Sequence, residues 1–253
     1  MSAPCLCPTD WLAQLVDQVH VWHVNPDALT DPALLARYAA TLSPDEEARR
    51  LRFRFEQDCH QFLVSHALVR QVLSKYADVP PSEWQFTAGP RGRPEISTPV
   101  ADLPLRFNLT HTAGLAACVV TLNTDCGIDA EKLSLPANAR GIADKMFSAS
   151  ERQALASLRG PDYVSRFFAS WTLREAYGKA IGLGLAHPMA SLEFECADDL
   201  AIRLHTGNPG PDEAGHWQFA LLQPTPEHLA AIALRHDNAE GEKSLRLLPF
   251  EAA

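Results

Sequence analysis

The feature that most limits how this chain can fold is that it matches itself. Slide Ser43 onto Ser148, and Leu42-Ser43-Pro44-Asp45-Glu46-Glu47-Ala48 falls on Phe147-Ser148-Ala149-Ser150-Glu151-Arg152-Gln153. Both segments carry Ser-x-x-Glu, a capping box in which each side chain satisfies the other residue's orphan backbone N–H. At the same offset Phe62-Leu63-Val64-Ser65-His66-Ala67-Leu68 falls on Phe167-Phe168-Ala169-Ser170-Trp171-Thr172-Leu173, and Phe, Ser and Leu coincide. Each block lies in a helical pattern, over residues 55–77 and 162–181. Strand patterns follow in the same order. Trp84-Gln85-Phe86 answers Leu192-Glu193-Phe194, and Leu105–Thr110 with Leu115–Leu122 answers Trp217–Leu222 with His228–Leu234. Val21–Val24 and Gly127–Ala130 lead into the two series. The expected fold is therefore α+β: a pseudo-dimer of two similar subdomains, each a long helix packed on an antiparallel sheet.

The join lies near Asn123, giving subdomains 1–123 and 124–253, and a cleft between such halves is a favoured ligand site. This offset sets Arg70 opposite Glu175 and Ser74 opposite Lys179, so that one half supplies basic groups and the other carboxylates. The matching identities are few, and two unrelated α+β stretches remain the alternative.

Composition narrows the function classes. The 253 residues carry 31 acidic and 22 basic side chains, a net charge of −9, which disfavours sequence-independent nucleic-acid binding. No apolar run reaches the roughly 18 residues of a membrane span. The segment Met1–Asp10 has neither the basic nor the apolar part of a signal peptide. The reading is a soluble cytoplasmic protein. Its cysteines (Cys5, Cys7, Cys59, Cys118, Cys126, Cys196) form no C-x-x-C pair and read as reduced thiols. Neither Cys5-x-Cys7 nor the spacing of His60 and His66 makes a zinc site.

Four segments carry chemistry. In Gly127-Ile128-Asp129-Ala130-Glu131, strand alternation puts Asp129 and Glu131 on one face and Ile128 and Ala130 on the other. Adjacent carboxylates repel, and a hard divalent cation such as Mg²⁺ would compensate them. Read alone, the segment fits an exposed edge strand with solvated acids better. Trp171, Glu175 and Lys179 recur every four residues and share a helix face, which ends at Gly182 and Gly184. A Glu–Lys pair at this spacing is also an ordinary surface ion pair. Phe107-Asn108-Leu109-Thr110-His111-Thr112 sets Asn108, Thr110 and Thr112 on one strand face with His111 at the turn, where it binds a phosphate or serves the fold. Arg49-Arg50-Leu51-Arg52-Phe53-Arg54 and Gly89-Pro90-Arg91-Gly92-Arg93-Pro94 concentrate arginine in an acidic chain, as a phosphate-binding rim or as solvated surface.

Together these segments resemble the signatures of the 4′-phosphopantetheinyl transferase superfamily, in its larger, monomeric Sfp-type group. Gly127–Glu131 resembles G-x-D-x-E, and Trp171–Lys179 resembles W-x-x-K-E-A followed by a lysine. Phe107–Thr112 is similar to F-N-x-S-H-S, and Gly92-Arg93-Pro94 to the G-K-P turn before it. The resemblance spans about residues 40–195 and implies the pseudo-dimeric fold, with the active site in the cleft. It implies transfer of 4′-phosphopantetheine from coenzyme A to a serine of an apo acyl or peptidyl carrier protein, releasing adenosine 3′,5′-bisphosphate. Asp129, Glu131 and Glu175 would hold Mg²⁺. Glu175 or a metal-bound water would take the serine proton, and Lys179 would neutralise the pyrophosphate. Arg49 and His111 would grip the 3′-phosphate of coenzyme A, with Thr110 beside them and Arg93 near the nucleotide. The implied partners are carrier proteins and coenzyme A, without nucleic acid, membrane or a second copy. Arg174 stands where the family has Lys, and Thr110 and Thr112 where it has Ser. A Mg²⁺-dependent phosphoesterase on CoA-like diphosphates, or a catalytically impaired carrier-binding homologue, are the alternatives.

Overall fold

The structure is a computed structural model that describes residues 8–89, 93–98, 104–182, 189–196, 202–206, 217–236 and 241–252. Cys5, Cys7, Arg91, Gly92 and Gly184, which entered the sequence reading, lie outside these. The chain forms two compact units, Met1–Asn123 with Lys243–Ala253, and Thr124–Glu242.

The first unit opens with α1 (Pro8–Gln14) and β1 (Gln18–Val24), then α2 (Pro32–Ala39), α3 (Pro44–Arg50) and the long α4 (Glu56–Leu73). The capping box holds α3 as expected: Glu46 N–H donates to Ser43 Oγ at 3.2 Å and Ser43 N–H to Glu46 Oε2 at 2.8 Å. A hairpin of β2 (Gln85–Ala88) and β3 (Pro94–Thr98) precedes the antiparallel pair β4 (Leu105–Thr112) and β5 (Leu115–Leu122). Val64, Leu68 and Val72 of α4 bury against Trp22, Phe107, Cys118 and Val120 of the sheet.

The second unit begins with β6 (Cys126–Lys132), α5 (Ala139–Met146), α6 (Ala149–Ser157) and the long α7 (Gly160–Ala180). Ser148 and Glu151 form the matching capping box on α6. The hairpin β7 (Leu192–Cys196) and β8 (Ile202–Thr206) follows, then β9 (Trp217–Thr225) and β10 (His228–Arg235). The sheet runs β6-β10-β9, antiparallel throughout. Leu173, Ala176, Tyr177 and Ala180 of α7 bury against Ala231, Ala233, Phe194 and Phe219. The architecture is the mixed α+β with antiparallel sheets that the patterning predicts.

The last strand, β11 (Ser244–Pro249), does not extend the second sheet. It pairs in parallel with β1, giving the order β11-β1-β5-β4. The expected second subdomain ran to residue 253. Residues Lys243–Ala253 instead cluster with the first unit, because the open edge of β1 takes them as a neighbour.

The contacts also correct the internal offset. In the first unit buried Arg70 forks onto Glu46, donating from Nη2 at 2.6 Å and Nη1 at 3.2 Å, and stacks on Phe86. In the second unit buried Arg174 forks onto Glu151, donates to Leu192 O at 2.7 Å and stacks on Phe147 and Phe194. Each arginine also donates to the carbonyl one turn back, Arg70 to His66 and Arg174 to Ser170. Arg70 therefore answers Arg174, not Glu175. The separation Glu46–Arg70 is 24 residues and Glu151–Arg174 is 23, so the link before the long helix is one residue shorter in the second unit. Glu175 then answers Gln71, and Lys179 answers Lys75, so the expected contrast of Arg70 with Glu175 and Ser74 with Lys179 falls away.

Candidate active site

The site is built where β6 runs against α7. An ideal Cβ at Gly127 would lie 2.0 Å from Ala176 O and 2.7 Å from Ala180 N, so only glycine lets strand and helix approach this closely. That contact fixes which face of β6 meets the helix, and alternation puts Asp129 and Glu131 on the same face. Two strand residues advance about 6.6 Å and one helical turn about 5.4 Å, so the two series keep nearly in step. Asp129 meets Lys179, whose Nζ donates to its Oδ1 at 2.8 Å and to Ile128 O at 2.9 Å. Glu131 meets Trp171, whose Nε1–H donates to its Oε1 at 3.2 Å. Ile128 and Ala130 are buried on the other face.

Over residues 171–180 of α7, Trp171, Glu175 and Lys179 are the positions not fully buried. The four-residue spacing is thus one stripe on a stretch of helix that is otherwise enclosed. Gly182 closes α7 at φ 70, and its N–H donates to Lys179 O. Glu175 stands between the two contacts. Burial and the charges of Asp129 and Glu131 push its carboxyl up to about 7, against the pull of Lys179. Its Oε1 is buried and has no hydrogen-bond partner among the described residues. Asp129 is buried at 7% exposure, so the segment is not a solvated edge strand even though β6 is the edge of its sheet.

Among the described residues no three His, Cys, Asp or Glu groups stand together as a formed metal site. The expected ligands Asp129, Glu131 and Glu175 therefore do not make a ready cage, and the Lys179 ammonium lies on Asp129. Their chemistry nevertheless fits a hard cation. All donors are oxygens, Asp129 and Glu131 raise the proton affinity of Glu175, and Glu175 keeps a buried oxygen to offer.

The other expected residues lie in the first unit. Arg49, at the end of α3, is exposed and its guanidinium lies over the Phe62 ring at 5.6 Å. His111 is exposed on β4 itself, with the turn following at Ala113 and Gly114. Gln61 of α4 donates to Thr112 O at 2.6 Å and lies 3.3 Å from His111 Nδ1. Arg49 and His111 are thus gathered around neighbouring residues of α4, and Gln61 is a member that no motif flagged. Thr110 is buried at 4% exposure. Arg93 is half-buried just before β3. Of the remaining arginines, Arg50 pairs with Glu47 and Arg54 covers Phe55. Arg174, which stands where the family has Lys, is enclosed in the Glu151 pair and takes no part in the stripe.

Comparison with known proteins decides the family. Residues 125–233 match the model of the 4′-phosphopantetheinyl transferase superfamily, and residues 31–122 match that of 4′-phosphopantetheinyl transferase, N-terminal. The 4′-phosphopantetheinyl transferase HetI of Nostoc sp. is 33% identical over 223 residues, 88% of this chain and 90% of that protein. The chain belongs to the 4′-phosphopantetheinyl transferase superfamily. The 4′-phosphopantetheinyl transferase Sfp of Bacillus subtilis is 29% identical over 201 residues, 79% of this transferase and 85% of its own length. A solved holo-(acyl-carrier-protein) synthase from Bacillus anthracis in complex with CoA (3′,5′-ADP) is 19% identical, covering 45% of this transferase and 96% of that chain. Its TM-score of 0.38 is too low to argue from.

Proposed function

We propose that this transferase moves 4′-phosphopantetheine from coenzyme A to a serine of an apo acyl or peptidyl carrier protein. The observation that carries the reading is the stripe in which Asp129, Glu131, Glu175 and Lys179 gather, in a chain of this family, at the join of β6 and α7. In the reaction the carrier serine oxygen bonds to the phosphorus bearing pantetheine. The P–O bond to adenosine 3′,5′-bisphosphate breaks, and that nucleotide leaves with the electron pair.

Asp129, Glu131 and Glu175 are the residues to hold Mg²⁺, which supplies charge neutralisation for a diphosphate and its leaving group. Glu175 is the group of this chain placed to take the serine proton. Lys179 balances negative charge on the diphosphate oxygens. In the first unit Arg49 and His111 hold the 3′-phosphate, Thr110 supports His111's strand, and Arg93 meets the nucleotide. Most of the rate then comes from positioning and charge placement. The protein acts in the cytoplasm as a monomer, its two units descending from one repeated series.

The test is mass spectrometry of candidate apo carriers incubated with the protein, coenzyme A and Mg²⁺. The expected result is a carrier heavier by one phosphopantetheine, lost with Asp129→Asn. Coenzyme A cleaved with no mass gained by any carrier would replace the reading with a phosphoesterase.

A further inference from the structure

Lys179 makes two bonds that a lysine waiting for a phosphate does not need. Its ammonium, at 28% side-chain exposure, donates to Asp129 Oδ1 at 2.8 Å and to Ile128 O at 2.9 Å. Both acceptors belong to the strand that carries two of the three acids. Trp171 holds Glu131 from the other end of the stripe, and Glu175 lies between with a buried oxygen that has no hydrogen-bond partner among the described residues. Asp129 and Glu131 crowd Glu175 with like charge, and among the described residues Lys179 supplies a positive charge against it.

We propose that Lys179 is a built-in counter-ion that exchanges with the divalent cation. In the metal-free protein it occupies Asp129. When the cation is taken up it leaves, and the released ammonium becomes the one that meets the diphosphate. The inference rests on the reading that Asp129, Glu131 and Glu175 hold Mg²⁺, and concerns what this chain does before that happens. Two positive charges cannot share one buried carboxylate oxygen without strong repulsion, so the exchange follows once the cation binds there.

Two measurements on the full-length protein test this, neither needing turnover. The first is the rate at which Lys179 is acetylated by a small reagent, read by peptide mass spectrometry with and without Mg²⁺. Faster labelling with Mg²⁺ is expected, while exposed Lys132 serves as a control that does not change. Labelling unchanged or slowed by Mg²⁺ overturns the exchange. The second is Mn²⁺ affinity without coenzyme A, counted from free Mn²⁺ by electron paramagnetic resonance. Lys179→Met keeps the apolar stem and is expected to bind Mn²⁺ roughly tenfold tighter than wild type, because the occupied state no longer competes. Equal or weaker binding by a folded Lys179→Met protein overturns the exchange. If Mn²⁺ binds wild type but Lys179 labelling does not respond, the exchange alone is wrong. If Asp129→Asn leaves Mn²⁺ binding intact, the metal assignment fails and the exchange falls with it.

Discussion

Glu175 sits where folding and function pull in opposite directions. Its carboxyl is pushed up to about 7 in the folded chain from an ordinary 4.5, so the fold disfavours its charged form. The stabilising contribution of this group is present below about 4.5 and is lost as pH rises through about 7. Glu175→Gln keeps the shape and removes the charge. The expected outcome is a protein about 1–3 kcal/mol more stable than wild type at pH 8 without metal, by urea unfolding, with transfer reduced by a hundredfold or more. A variant less stable at that pH would mean that the acids do not repel. Arg174, one residue away and about 100° round the helix, makes the opposite case. Arg174→Lys keeps the charge but gives up the fork on Glu151 and the bond to Leu192 O. It should cost about 2–4 kcal/mol of stability and leave the KM for coenzyme A within about twofold, since the side chain does not reach the stripe.

The contact of β6 with α7 shows what an element must do to make this site. Gly127→Ala puts a methyl carbon where Ala176 O already is, and backbone cannot step aside as a side chain can. Strand and helix must part, moving Asp129 off Lys179 and Glu131 off Trp171. The expected cost is about 3 kcal/mol or more in thermal unfolding, with activity lost even at temperatures where the variant is folded. A folded Gly127→Ala with wild-type transfer would show that the two elements need not touch. At this scale the sequence was readable wherever a period decides the outcome. Alternation along Gly127–Glu131 and the four-residue spacing of Trp171, Glu175 and Lys179 each name a face, and both capping boxes hold. What it could not show is how two faces meet. Nothing in the spacing says that Lys179 reaches Asp129, that Trp171 bonds Glu131, or that Gln61 steadies His111's strand. The one-residue slip between the repeats escaped because Phe62, Ser65 and Leu68 coincide by type at the wrong offset. Only the twin arginine–glutamate pairs correct it.

Across the whole molecule the two units share a capping box and a buried arginine–glutamate pair but not the chemistry. The corrected offset sets Lys75 against Lys179, yet Lys75 Nζ lies 5.2 Å from the Trp22 ring centre and 5.7 Å from that of Phe250, where Lys179 finds a carboxylate. β1 presents an indole and an imidazole to Lys75 and Tyr76, just beyond α4, and the first unit spends this position on its core. Trp22 Nε1–H donates to Tyr76 Oη at 2.7 Å, and Tyr76 in turn lies 2.7 Å from His20 Nδ1. His20 Nε2–H faces Gln18 Oε1 at 3.1 Å, so the neutral ring satisfies both partners and Tyr76 is the donor to Nδ1. Burial first, with Arg246 adding to it, lowers His20 from 6.5 to about 4. A lowered histidine contributes its full stability above about 6.5 and loses it as pH falls towards 4, because the unfolded chain takes the proton first. The loss attributable to His20 reaches roughly 3 kcal/mol at the acid end. Glu175 runs the other way over part of this range, so wild type alone would show a blunted slope. The measurement is therefore a difference: urea unfolding of wild type and His20→Gln at several pH values between 7.5 and 4.5. The wild type should lose stability on acidification faster than the variant, with the gap opening below pH 6.5. Parallel curves would mean that the ring is protonated within the fold, and that the first unit has kept a charged site in the place where its aromatic core now stands.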